Sequence, residues 1–469
     1  VEQKKEQNPY GKYQPMPVEK PQYTKTQKLL LAIVLALGAV FVTVFWEAVY
    51  NASTARSVAL PYALFWAVYL FGYFIAVPQA RRNKAAWLVL LCVSLLFVRY
   101  AVYEERVLSL INFFAIPLLL MLHAVVGAFR PAPGCDGEYA VQFFAGFFVK
   151  PFAYIARFFG AAGAALQKKE GQKRSGVFMG LLIGLPLMVV VLALLISADS
   201  VLSYYVGKLF EGWSVATVFW RTVVALLVAM LFYSFLYGTA WAKLPARETP
   251  YPQTFEPATL HTVIALLLAA YAAFAYVQFF YLTGLKGLPE GLTYSQYAVR
   301  GFNELLIVAL INLGIYALTL RFEKEHKAKR TFLLLLLLAT ALVLYSGGAR
   351  LLMYVGAYGL TVSRVLPMWF ILFLAVATVL CCVRLYAAKL RLLRAVTALF
   401  IVLYLVLNAI NLDAMIAKSV LARASARGEL GIDDANYLRY ELSSDAVPVL
   451  KASEFKDEIY YDVAPQDLD

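Results

Sequence analysis

An all-α fold, a polytopic transmembrane helical bundle of about eleven spans, is predicted by three observations on the sequence. Apolar residues make up 62% of the 469 positions and charged residues only 15%, with a mean hydropathy of +0.70. Soluble domains are about half apolar, and a water-exposed surface of this composition would aggregate. The apolar residues fall in runs near 20 long, the length that crosses a hydrocarbon core. The net charge of +13 comes from short basic clusters between those runs, the positive-inside pattern, so nucleic acid is not an expected partner. Lipid is the expected solvent.

The runs lie at about 29–49, 58–79, 85–103, 107–129, 176–198, 214–238, 259–283, 301–321, 332–353, 362–385 and 395–412. The first follows a polar stretch with six lysines and lacks a small-residue cleavage site, so it reads as a retained span and not as a signal peptide. With the N-terminus inside, the inner connections hold 27 Lys and Arg, against about eight in the outer connections and their flanks. That places the N-terminus in the cytoplasm and the C-terminus outside. The expected organisation is a cytoplasmic polar tail (1–28), four spans (29–129), a cytoplasmic aromatic and basic segment (130–175), seven spans (176–412) and an extracytoplasmic acidic tail (413–469).

Within the cytoplasmic segment, Phe144, Phe148, Phe152, Ile155 and Phe159 recur at helical spacing over 140–160, with Lys150 and Arg157 elsewhere on the wheel. An aromatic helix lying on the leaflet fits this pattern; a segment packed under the bundle fits it too. Pro151 marks a kink or a fresh helix start. The basic run 168–174 (KKEGQKR) is suited to anionic lipid. The tail carries six basic and 12 acidic residues. In it, residues 433–451 predict a short amphipathic helix bearing Tyr437, Leu438, Tyr440 and Leu442 and ended by Pro448.

Ionisable groups at membrane depth are costly, so they locate the candidate site. Glu47, Arg99, Asp199, Arg221, Arg300, Glu304, Arg350, Arg364 and Asp413 gather toward the outer half. Arg300, Glu304 and Asn312, at i, i+4 and i+12, fall within an arc of about 120° on one helix. They serve either as a ligand or ion site or as polar pins between helices. After the ninth run, Gly347 and Gly348 precede Arg350, Tyr354, Tyr358 and Arg364. Both a broken helix lining an outward cavity and a plain gap and restart account for that composition. His123 and Gln278 are expected to be helix–helix hydrogen-bond partners. Glu104-Glu105, beside Arg106, reads as a solvated turn. His123, His261 and His326 are scattered, no Cys or His pair has metal-ligand spacing, and no cofactor is implied.

Three stretches resemble signatures of bacterial multi-span proteins of the "domain of unknown function" families numbered 4173 and 4153. The first is Tyr297-Ala298, Arg300-Gly301-Phe302 and Glu304-Leu305-Leu306, running on to Ile311-Asn312-Leu313. The second is Arg350 with Tyr354, then Tyr358-Gly359-Leu360-Thr361 and Arg364. The third is Asn411-Leu412-Asp413 followed by Leu442-Ser443-Ser444-Asp445-Ala446-Val447-Pro448. The resemblance covers about residues 180–450. It implies a multi-pass protein of the bacterial cytoplasmic membrane and supplies no catalytic residue.

Three functions are consistent with this reading. A transporter or small-solute permease would use Arg221, Arg300, Glu304, Asn312, Arg350, Tyr354, Tyr358 and Arg364 around an outward polar site. An envelope sensor, scaffold or assembly factor would fold its tail back on the outer cluster, with Asp445 and Glu441 meeting Arg350 or Arg364. A membrane enzyme acting on lipid-linked substrate would pair Glu304 with Asp199 or Glu47, but lacks a dense acidic or His motif at either face.

Overall fold

Backbone N–H and C=O groups in hydrocarbon must be satisfied within their own segment, so apolar runs of this length become helices. A computed structural model describes residues 23–52, 54–131, 135–165, 215–242, 252–282, 302–324 and 326–460, with isolated positions between 184 and 204. Among them, ten helices are long and apolar enough to cross a membrane. They are α1 (Lys25–Tyr50), α2 (Ala55–Ala76), α3 (Lys84–Val102) and α4 (Arg106–Ala128), then α8 (Val215–Ala240) and α9 (Pro257–Leu282). The last four are α10 (Phe302–Phe322), α11 (Lys329–Tyr358), α12 (Val362–Tyr386) and α13 (Leu392–Ala409). The protein is a multi-pass membrane protein. Ten of the expected spans stand within a few residues of their places; the one at 176–198 lies mostly outside the described residues.

Contacts divide the chain into two compact units, Val1–Val44 with Phe65–Pro78 and Phe148–Ala242, and Phe45–Leu64 with Gln79–Phe147 and Lys243–Asp469. In the first unit, Thr24 and Gln27 form a capping box that starts α1. Gly38 lets α1 meet α8 backbone to backbone: a Cβ there would stand 2.1 Å from the Ala225 carbonyl oxygen. Small residues set such approaches between membrane helices. Tyr69 of α2 packs edge-on to Phe232 of α8, with ring centroids 5.6 Å apart.

The aromatic segment is not one helix over 140–160. It is broken into α5 (Glu138–Phe148), α6 (Lys150–Ala153) and α7 (Ile155–Ala165). Pro151 sits in the first turn of α6, where its missing N–H costs nothing. Phe144, Phe148 and Phe152 are exposed at 59%, 73% and 60%. In the first unit, the Ser234 hydroxyl of α8 donates to the Lys150 carbonyl (2.7 Å) and accepts from the Tyr154 amide (3.0 Å). The Lys150 side chain is buried.

In the second unit α11 packs against α9, α10 and α12. It runs unbroken through Gly347 and Gly348, where a Cβ would meet Leu305 and Ile371 at 3.7 Å, an ordinary contact distance. The gap and restart comes later, at Gly359, whose φ of +77° ends α11 before α12 begins at Val362. The span expected to reach 412 stops at Ala409, because Asn411 caps a new helix, α14 (Leu412–Arg427).

From α14 onward the tail forms a helical cap with α15 (Ile432–Asn436), a π turn at Tyr437–Glu441, α16 (Val447–Lys451) and α17 (Lys456–Tyr460). Its core is Ile416, Val420, Leu438, Leu450, Phe455 and Ile459. Pro448 does not end the helix expected over 433–451. That helix stops at Leu442, and Pro448 sits in the first turn of α16.

Burial lowers the Lys150 ammonium from its ordinary 10.5 to about 8. Between those values the unfolded chain holds a proton that the folded chain has shed, so stability rises with pH through that window and falls as pH drops toward 8. Thermal unfolding in detergent across pH 8 to 10.5 is expected to show this slope, and Lys150→Met is expected to flatten it. An equal slope in both proteins contradicts the assignment.

Candidate functional site

The densest polar network among the described residues of the second unit lies where the cap meets the α3–α4 turn. A helix start leaves its first N–H groups without partners, and two carboxylates supply them here. Glu105 is the N-cap of α4 and accepts from the amides of Val107 and Leu108, both at 2.7 Å. Asp445 accepts from the amides of Glu104 (2.6 Å) and Glu105 (3.1 Å) across 341 and 340 residues of chain.

Arg56 of α2 braces this latch. It donates to the Val102 carbonyl (2.8 Å) and lies 3.4 Å from Glu104 and 3.9 Å from Asp445. Ser444 donates to Glu104 (2.6 Å). Asn411 donates to the Asp445 carbonyl (3.2 Å) while its own side-chain oxygen caps α14 (3.0 Å). Asp413, almost fully buried, accepts from the Ser443 amide (2.8 Å).

A second layer lies beneath. Arg99, on the last turn of α3, donates through Nη2 to Glu105 (3.2 Å), and both side chains are buried. Burial raises the Glu105 carboxyl above the ordinary carboxylate range, against the lowering effect of the Leu108 and Val107 amides and of Arg99. Asn112 of α4 donates to Asn408 of α13 (2.7 Å) and accepts from the Tyr404 hydroxyl. Asn408 in turn donates to the Tyr404 carbonyl (2.9 Å). Buried amides in hydrocarbon need such partners.

The residues expected to form the site are distributed differently. Arg221 is exposed on α8 in the first unit, and Arg300 lies outside the described residues. Glu304 is exposed in the first turn of α10. Asn312, fully buried, accepts from the Tyr271 hydroxyl of α9 (2.6 Å), while its Nδ2 has no hydrogen-bond partner. Arg350 is half-buried on α11. Tyr354, Tyr358 and Arg364 do come together. Arg364 donates to the carbonyls of Tyr358 (2.8 Å) and Gly359, and its guanidinium stands 4.2 Å from the Tyr354 ring centroid. It closes the end of α11 by hydrogen bonding and cation–π contact. Gln278 of α9 accepts from Ser346 of α11 (3.0 Å), a helix–helix bond of the expected kind.

Glu104-Glu105 is not a solvated turn. Glu105 is 3% exposed because the cap, built from residues more than 300 positions later, covers it. A usable signal stood in the sequence: an acidic residue immediately before an apolar helical run is a capping position. A further pair was invisible to spacing. His261 and Glu323, 62 positions apart in number, meet at 3.1 Å, with Glu323 wholly buried. His261 stacks on Phe332 (4.3 Å between centroids), and Lys329 donates to the Glu323 carbonyl (3.0 Å). Among the described residues, no group of three or more His, Cys, Asp or Glu is placed to hold a metal.

Asp445→Ala leaves two turn amides without their acceptor, at about 1–3 kcal/mol each when buried. The cap is expected to loosen, seen as faster proteolysis at the 428–431 connection with the spans intact, and Asp445→Asn is expected to be milder. Proteolysis unchanged in Asp445→Ala contradicts the latch. At the second pair, His261→Ala removes the group that faces the buried Glu323 side chain and is expected to lower stability by about 1–3 kcal/mol. Adding Glu323→Gln should recover part of the loss; thermal unfolding of the two variants checks both statements, and no recovery contradicts the pairing.

The family model described as "Domain of unknown function (DUF4153)" matches residues 85–453. The match begins at the start of α3, well before residue 180, and so takes in the 104–105 turn, the aromatic segment and Asp445. Comparison with curated proteins and with solved structures gave no match. With most of its length matched, the chain belongs to the family described as a domain of unknown function, DUF4153.

Proposed function

We propose that the protein is a sensor or scaffold of a bacterial cytoplasmic membrane, with its N-terminus in the cytoplasm and its cap on the outer face. The orientation is supported by the excess of Lys and Arg in the connections assigned inside. The functional reading is carried by one observation: the Asp445 carboxylate joins the cap to the two amides of the α3–α4 turn. We infer that the cap, joined to that turn by directional bonds and packed through Leu360, Val362 and Leu412 on the spans, exchanges a docked for a released arrangement. Such an element transmits a signal when a ligand or partner binds one arrangement better than the other.

A solute permease is the second reading. It is favoured by the free Nδ2 of Asn312, a buried donor midway along α10.

The two readings separate in one experiment. A strain lacking the gene is complemented with wild type, with the double variant Asn411→Ala/Asp445→Ala, or with Asn312→Leu, each at matched membrane levels. The sensor reading expects the latch variant to fail and Asn312→Leu to complement. Complementation by the latch variant with failure of Asn312→Leu contradicts it and supports transport.

A further inference from the structure

A helix resting on a water-soluble protein turns its apolar stripe inward and its polar residues outward. In α5 the order is reversed. Glu138, Gln142 and Gly146, at i, i+4 and i+8, are its buried positions. Val141, Phe144 and Phe148, at i, i+3 and i+7, form its exposed face. Three large apolar side chains in a row on an outward face mark a surface that meets something other than water.

The level of α5 along the spans says what that is. Its contacts with α4 and α13 lie within the second unit. Near its start, the Tyr139 ring packs edge-on to Phe129, the residue that follows α4, with centroids 5.9 Å apart. This is the end of α4 that the basic connections assign to the cytoplasm. Further along, a Cβ at Gly146 would overlap the Met121 sulfur, so the α5 backbone is seated on that side chain. Met121 lies seven residues before the end of α4, about 10 Å of helix rise. That is the layer into which amphipathic helices sink their apolar faces, about 5–10 Å within the boundary of head groups and acyl chains.

Cations fix the start of the helix. Asp136 pairs with Arg394 (2.6 Å) and stands 4.0 Å from Arg391, and the Arg394 guanidinium lies 5.1 Å from the Tyr139 ring centroid. Arg391 and Arg394, both exposed, sit at the start of α13. Exposed basic groups at the end of a span suit the anionic surface of a leaflet.

We propose that α5 is an interfacial helix, with Val141, Phe144 and Phe148 seated among the acyl chains of the inner leaflet and Arg391 and Arg394 at head-group level beside its start. Of the two arrangements open to the aromatic segment, α5 takes the one on the lipid. This surface is separate from the latch and does not require the cap to act as a sensor.

The test uses the full chain in vesicles of phosphatidylethanolamine and phosphatidylglycerol, with Cys92→Ala and Cys382→Ala removing the two cysteines that are not buried. A nitroxide is attached at Val141→Cys, Phe144→Cys or Phe148→Cys. Its collisions with oxygen, which concentrates among acyl chains, are compared with its collisions with a water-soluble nickel chelate. Leu118→Cys, at an exposed position in the middle of α4, gives the lipid limit. Lys389→Cys, exposed between α12 and α13, gives the aqueous limit. Oxygen collisions are expected to exceed nickel collisions at all three α5 positions, with ratios between the two limits. A ratio equal to that at Lys389→Cys places the face in water and overturns the proposal. Exclusion of both reagents means that protein covers the face, from this chain or a second copy, and overturns it equally. The three positions are labelled one at a time and each is checked by thermal unfolding, so one misfolded variant leaves two to decide the result.

Discussion

The acceptance of four backbone N–H groups by two carboxylates at the start of α4 is the interaction on which the capped end of the second unit depends. Glu105 takes the amides of residues 107 and 108, and Asp445 takes those of 104 and 105. The first is local helix capping. The second brings a residue from the end of the chain onto the turn between α3 and α4, and it explains the surrounding burial. With the cap seated, Glu105 loses water and requires Arg99, and Asp413 meets the Ser443 amide. Arg56 then stands between Glu104 and Asp445. The Asn112, Tyr404 and Asn408 network fixes α4 against α13 just below. Burial of this kind is weak evidence of net stability; its value here is in fixing one arrangement of cap and turn.

Much of the fold was legible because the membrane imposes simple rules. Length and hydropathy alone located ten helices, since any segment of that character must satisfy its own backbone. Pro448 was read as a helix end, yet a proline in a first turn begins a helix, as Pro151 does at the fresh start allowed for it. α11 runs straight through Gly347 and Gly348, so a glycine pair alone did not break the helix. The break that did occur, at Gly359, is set by backbone conformation that glycine adopts at low cost.

The site was legible only in part. Counting ionisable groups inside apolar runs brought out Arg99, Arg364 and Asp413, all of which have defined roles at the capped end. It also brought out Glu304, which is exposed. It missed Glu105, which stands two residues outside a run and is buried beneath the cap. It missed Glu323 as well, which follows the end of α10 and is covered by His261 and its neighbours. Membrane cost identifies residues that the bilayer would bury; it says nothing about residues that another part of the protein buries. The tail residues Asn411, Ser443 and Asp445 carried the family resemblance, and their contacts supply a physical reason for that pattern.

Amide hydrogen exchange at Glu104 and Glu105 tests the central claim most directly, because those two N–H groups are the ones Asp445 holds. The account predicts slow exchange in the wild-type protein and exchange faster by about tenfold or more in Asp445→Ala, with the amides of residues 112–125 inside α4 unchanged. Exchange at Glu104 and Glu105 that is fast in wild type, or equally slow in both proteins, would contradict it.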